Sequence, residues 1–233
     1  MEDTDMGTTR YARTFAGVLG TVALTLALSH ATVIDFENLN LASIPDDYAD
    51  RVNDSGFDSQ NRGGYNLTFG ATPNVQARMF SADYQNGTWN RLATLFLWSS
   101  NYADLVNVAY HSPSNQGARF IFTADPGYWV RLHSFQMGGW PNTNQPLPFL
   151  QVLVDGNPVF TQQNITISGS TADTFNFDPN VVKGGVIEIR FGGNWNVGID
   201  NIGFSQELIP EPASLLALGA GLAGLMGLRR RTQ

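Results

Sequence analysis

The sequence has no cysteine, so neither a disulfide framework nor a thiolate metal site can form. Lysine is nearly absent: Lys183 is the only one, and residues 32–207 carry 16 Asp plus Glu against 8 Arg plus Lys. A surface of that sign repels nucleic acid, which is excluded as a partner, and anionic lipid. Histidine is scarce, with 3 in the chain. His30 falls in a leader, while His111 and His133 stand far apart without an HExxH spacing, so both are expected to be structural. No nucleophile elbow, P-loop or Rossmann fingerprint occurs, and no helical period is sustained between residues 32 and 206. The expectation is a protein that is not an enzyme. Paired carboxylates of the glycosidase kind stay open, because their separation is a property of the fold.

What the body does contain is short apolar runs separated by turns. Residues 32–36, 65–69, 92–98, 105–110, 119–123, 129–137, 149–154, 165–168, 186–191 and 197–204 read as strands. Ile187, Ile189 and Phe191 share one face while Glu188 and Arg190 take the other, the pattern of a half-buried antiparallel strand. Asp155-Gly156-Asn157 predicts a hairpin, and Asp125-Pro126-Gly127 a type II turn. Residues 46–90, dense in Asp, Asn, Gly and Ser, are expected to form loops around one or two strands. Together these predict an all-β, antiparallel β-sandwich, jelly-roll-like, in one domain.

The last strand changes phase: Val197 and Ile199 face one way, Ile202 and Phe204 the other. One extra residue near Asp200-Asn201 reconciles them, which predicts a β-bulge. At the front of the body Asp35 and Glu37 lie two apart, on the face opposite Ile34 and Phe36. If the first and last strands pair, Asp35, Glu37 and Asp200 form a candidate site for a structural Ca²⁺. The competing reading is that Asp200 and Asn201 only bond backbone groups of the bulge. The stretches "VIDFENL" and "NVGIDNIGFS" resemble the two ends of galactose-binding-like jelly rolls, a resemblance that implies a calcium near the termini.

All 5 tryptophans lie in the body. Trp98 and Trp129 sit within apolar strands and are expected in the core. Trp140 and Trp195 sit in "GGWPNTNQP" and "GGNWNVG", where Gly and Asn predict loops. A flat ring beside amides suits a sugar, the ring stacking on C–H faces while Asn142, Asn144, Asn194 or Asn196 bonds hydroxyls. The competing role is a tryptophan that covers one end of the sandwich.

The two ends of the chain carry addresses. Residues 15–28 form an apolar run behind Arg10 and Arg13, followed by Ser29, His30 and Ala31, a small-x-small site. That predicts a secretory signal over residues 1–31 with signal peptidase cutting after Ala31. The acidic residues Glu2, Asp3 and Asp5 are unusual for a signal and make Met6 an alternative start. At the other end Pro210, Glu211 and Pro212 predict extended backbone unable to start a helix. Residues 213–228 are then uncharged, and Arg229, Arg230 and Arg231 form a cytoplasmic stop. "IPEPASLLALGAGLAGLMGLRRR" resembles the PEP-CTERM sorting signal of Gram-negative bacteria, which assigns residues 208–233 to sorting and leaves 32–207 as the body. The resemblance implies export, insertion of the tail in the inner membrane, and processing by an exosortase. The final place is then the cell surface or the extracellular matrix, with exopolysaccharide as a partner. A plain tail anchor needs no Pro-Glu-Pro. The expected function is a non-catalytic, glycan-binding sandwich. The alternatives are a secreted polysaccharide hydrolase or lyase, and a purely structural or adhesive matrix component.

Overall fold

The computed structural model describes residues 31–68, 70–113 and 115–210. The expected signal helix and membrane helix, and with them Glu211, Pro212 and Arg229 to Arg231, lie outside the described residues. Among the described residues no helix is long and apolar enough to cross a membrane.

Among the described residues fourteen strands follow one another: β1 (Ala31–Ile34), β2 (Ser43–Ile44), β3 (Val75–Ala82), β4 (Arg91–Ala93), β5 (Leu95–Trp98), β6 (Val108–Tyr110), β7 (Gly117–Ala124), β8 (Tyr128–Gly139), β9 (Gln145–Val154), β10 (Asn157–Ile167), β11 (Asp173–Asn176), β12 (Lys183–Gly184), β13 (Val186–Gly192) and β14 (Val197–Leu208). They build two sheets. One runs β11-β8-β14-β6-β5-β2, with β1 added to β14 and β12 to β8; the other runs β10-β9-β13-β7-β3-β4. Neighbouring strands are antiparallel throughout, β1 and β14 among them.

The sheets meet through their alternating apolar faces. Ile187, Ile189 and Phe191 of β13 are fully buried, and Phe122 of β7 packs across the sandwich on Phe204 of β14 at 4.4 Å between ring centroids. Truncating such a buried ring to alanine costs about 3–5 kcal/mol. The turns follow their residues. Asp155 and Gly156 have φ of 49° and 79°, both positive as a two-residue type I′ hairpin requires. Tyr128 N donates to Asp125 O at 3.0 Å across Gly127, whose φ is 88°.

Five expected strands differ, the first of them ending at Ile34 and not at Phe36. The run 92–98 is two strands, broken at Thr94, and the chain passes there from the second sheet to the first. Residues 65–68 contribute only a bridge from Asn66 to Val33. The run 105–110 is a strand only over Val108–Tyr110, because Leu105 closes a turn with Tyr102. The run 165–168 is the end of the longer β10, whose exposed, polar side chains hide the strand period. The polar stretch 46–90 holds β3 and loops tied by charge. Asp58, buried, accepts from Arg62 Nε at 2.6 Å and from Tyr65 Oη at 2.7 Å, and Arg62 also reaches Asp47 at 2.9 Å.

Candidate functional site

The outer face of the first sheet is paved with glycine where β8 ends and β14 begins, Gly138 standing opposite Gly198. A Cβ on Gly198 would lie 2.2 Å from Val108 Cγ1, and one on Gly138 2.4 Å from Tyr102 O. The bare backbone lets the segment before β6 lie flat on the sheet, with Tyr102, Leu105 and Val108 buried together. Tyr102 Oη donates to Trp195 O at 3.0 Å and Trp140 N to Asn196 O at 2.8 Å, which binds the loops to one another.

Trp98, Tyr102, Tyr110, Trp140 and Trp195 surround a cavity of about 160 Å³. Trp140 lies 5.8 Å from Trp195 and 6.3 Å from Trp98, with Tyr110 6.3 Å from Trp195. Trp98 and Trp195 are 44% and 37% exposed, so their rings stand at an opening, while Tyr102 is buried beneath them. Trp98 also borders a shallower cavity of about 340 Å³, where Asn40, Ser99 and Asn107 join Leu41 and Leu97. No charged side chain lines either space. Aromatic faces with a few neutral polar groups suit a ligand that shows C–H surface and hydroxyls.

The expected residues are distributed unevenly over this arrangement. Trp140 and Trp195 meet in it. Asn194 supports the loop from within: its Nδ2 donates to Pro146 O at 2.8 Å and to Gln145 Oε1 at 3.2 Å, while its Oδ1 accepts from Asn196 N at 3.0 Å. Asn196 Oδ1 and Trp140 Nε1 are buried without a hydrogen-bond partner. Asn144 Oδ1 accepts from Gly169 N at 3.0 Å. Trp98 was expected in the core and is exposed. Leu95 is the buried residue of β5, while Phe96 and Trp98 share the outer face. Trp129 is also outside the core, with Lys183 Nζ 4.5 Å from its ring. Both phases of Leu-Phe-Leu-Trp are apolar, so no alternation marks the outer one. Tyr102 and Tyr110 carry no signal in the sequence that sets them apart from core tyrosines.

The bulge lies where expected, the register shifting between Asp200 and Gly203 with Asn201 at φ 50°. Asp200 is 2% exposed, and burial pushes its carboxyl up to about 8; the negative charges of Asp35 and Glu37 push the same way. Burial raises Asp35 as well. Asp200 Oδ1 accepts from Asn201 N at 2.7 Å, so the bonding expected of the bulge is present. Asp35 and Glu37 lie past the end of β1, because Phe36 turns the chain at φ 53°. The three carboxylates are thus near enough to repel one another. Among the described residues, however, no three His, Asp or Glu side chains are close enough together to form a ready-made metal site. Their chemistry suits a hard cation; their spacing as it stands does not.

The histidines pack. His111 is fully buried against Phe191, and burial lowers it to about 4. His133 Nε2 lies 2.7 Å from Ser205 Oγ.

The end of β14 carries the other functional element. Residues 208–231 match the PEP-CTERM protein-sorting motif. The motif implies an exported protein, anchored in the membrane and then cleaved by an exosortase. Its first residue, Leu208, is still paired in the sheet with Tyr128. No curated protein matches the chain. Among solved structures, one described as "CBM4 structure and function" aligns at TM-score 0.32 and 13% identity, covering 67% of this chain and 99% of its own. The enzymatically active domain of tailspike protein 4 from bacteriophage CBA120 aligns at TM-score 0.29 and 16% identity, over 71% of this chain and 21% of the other. An exo-beta-1,3-galactanase from Phanerochaete chrysosporium aligns at TM-score 0.25 and 15% identity, over 63% and 31%. All three superpose weakly.

Proposed function

We propose that the protein is an exported, non-catalytic binding protein. In this reading it is delivered by its sorting motif to the cell surface or polysaccharide matrix, where the aromatic pocket holds a neutral glycan. The observation that carries this reading is the pocket itself: five rings from four separate stretches of chain converge on one opening, and two of the tryptophans remain well exposed. Exposed tryptophan gathered at an opening is what stacking on sugar rings needs. Binding is favoured over hydrolysis because none of the five lining residues is a carboxylate, whereas glycosidases act through a pair of them.

The test is a glycan array probed with the full chain in detergent, followed by titration of each hit. Trp195→Ala is expected to lose binding at least tenfold at a melting temperature near wild type. Trp140→Ala is expected to lose binding and some stability, because its ring is half-buried against the Tyr102 cluster. Full binding by both variants would remove the pocket from the function. A clean array would favour a purely structural matrix component.

A second proposal concerns Asp35, Glu37 and Asp200, which would take up a hard cation such as Ca²⁺ if the 35–37 turn closed toward Asp200. What supports it is a buried carboxyl on which the negative charges of Asp35 and Glu37 both act.

A further inference from the structure

Strand β1 enters the sheet beside the end of β14. The register sets Ala31 opposite Ser205 and Ile34 opposite Ile202, so the chain preceding Ala31 arrives from the side on which β14 runs out at Leu208. The two ends of the body, Ala31 and Ile209, therefore lie at one pole. The β7–β8 turn is there too, since Ile209 N donates to Gly127 O at 2.8 Å. So is the Asp155-Gly156 hairpin, through Asp155 N on Val186 O and the pairing of Val186 with Thr123.

The chemistry of this pole differs from the rest of the surface. Arg51 is paired with Asp125, and Arg131 and Lys183 both reach Glu207. These three cations each meet a carboxylate there. Tyr128 and Trp129 begin β8 at this end, Lys183 lies over the Trp129 ring, and Leu208 is 64% exposed. Trp and Tyr favour the boundary between lipid and water, where a lysine keeps its ammonium among the headgroups. The end of the body is tied down as well: Ile209 N is bonded to Gly127 O, and the next residue, Pro210, has its φ held near −65°.

At the other end of the sandwich Trp195 precedes Val197, the first residue of β14. Eleven residue steps to Leu208 span about 36 Å at roughly 3.3 Å each.

We infer that in the membrane-held precursor the pole bearing Gly127, Trp129 and Leu208 rests on the lipid surface, and the body stands upright with its aromatic pocket turned away from the membrane. This rests on the sorting reading. It assigns the pole a lipid contact and presents the pocket outward before the tail is cut.

The absence of cysteine makes any introduced one a unique reporter. Pro126→Cys and Asn157→Cys mark the pole, and Thr143→Cys the opposite end. Each full-length variant is spin-labelled and reconstituted in vesicles of phosphatidylethanolamine and phosphatidylglycerol. Flotation first shows whether the chain is membrane-bound, and collision with water-soluble and lipid-soluble relaxation agents then reads depth. The expected result is that the labels at 126 and 157 lose several-fold accessibility to the water-soluble agent relative to detergent-solubilised protein, and that the label at 143 loses none. A chain that floats with all three labels equally exposed overturns the orientation, as does protection of the label at 143. A chain that does not float overturns the membrane reading beneath it.

Discussion

Asp200 should make this protein less stable as pH rises through the neutral range. Its carboxyl is 2% exposed and held at about 8 in the fold, against an ordinary value of 3.8. The folded state therefore binds the proton more tightly than the unfolded chain. Stability from this group is fully present below about 4 and is lost as pH climbs through about 8. His111 acts in the opposite direction, but only below its unfolded value near 6.5, where the unfolded chain takes up a proton that the buried ring refuses. The interval from about pH 6.5 to 9 thus isolates Asp200. Over it, about 1.5 pH units at ~1.36 kcal/mol each remove about 2 kcal/mol. For a body of this size that is about 4–8 °C in melting temperature. Asp200→Asn keeps an oxygen for Asn201 N and carries no charge. It should melt above wild type, with the gap widening by about 2 kcal/mol across the interval. Scanning calorimetry of both proteins, in chelator and in excess Ca²⁺, gives the measurement. Parallel curves in chelator would refute the buried-acid account. A slope abolished by Ca²⁺ in wild type alone would support the cation proposal, and no effect of Ca²⁺ on either protein would end it.

Three further outcomes follow from the same geometry. Glu188→Ala leaves Arg119 directly opposite Arg190 with no carboxylate between them, and should cost about 3–5 kcal/mol in urea unfolding; a loss below about 1 kcal/mol would mean the guanidinium groups are solvated instead. Gly198→Ala forces a methyl into Val108 and should cost about 1–3 kcal/mol, with a parallel loss of ligand affinity as Tyr102 is lifted; unchanged affinity would separate the pocket from the glycine pair. Replacing Pro210, Glu211 and Pro212 by alanine should leave export intact and block tail removal. Immunoblots of membrane and released fractions test this, and equal processing would leave only a plain tail anchor.

The sandwich could be read from the sequence where one face of a strand is apolar and the other polar. β13, with Ile187, Ile189 and Phe191 against Glu188 and Arg190, reports its own orientation, and the phase change across Asp200-Asn201 is visible because both halves of β14 alternate. Of β10 only the last residues could be read, because an edge strand under solvent needs few apolar residues, and Thr161, Gln162, Gln163 and Asn164 are exposed. The loops of residues 46–74 follow a different rule again. Asp58 and Arg62 hold them by buried charge, which in sequence looks like any polar loop.

The pocket was half visible, and the reason is physical. Glycine and asparagine around Trp140 and Trp195 mark loops, since neither residue suits a packed strand. Trp98 is hidden in Leu-Phe-Leu-Trp, where both phases are apolar because the sheet is covered on both faces: by the core inside, and outside by a loop that the glycines at 138 and 198 admit. An outer sheet face that must be apolar for its own covering loop supplies aromatic residues beyond the loop's edge as well. Trp98 and Phe96 are left there, 44% and 37% exposed. The same glycines that look like turn formers in sequence are thus what lets Tyr102 approach and close the pocket. A search for its function should accordingly vary the glycines as well as the rings.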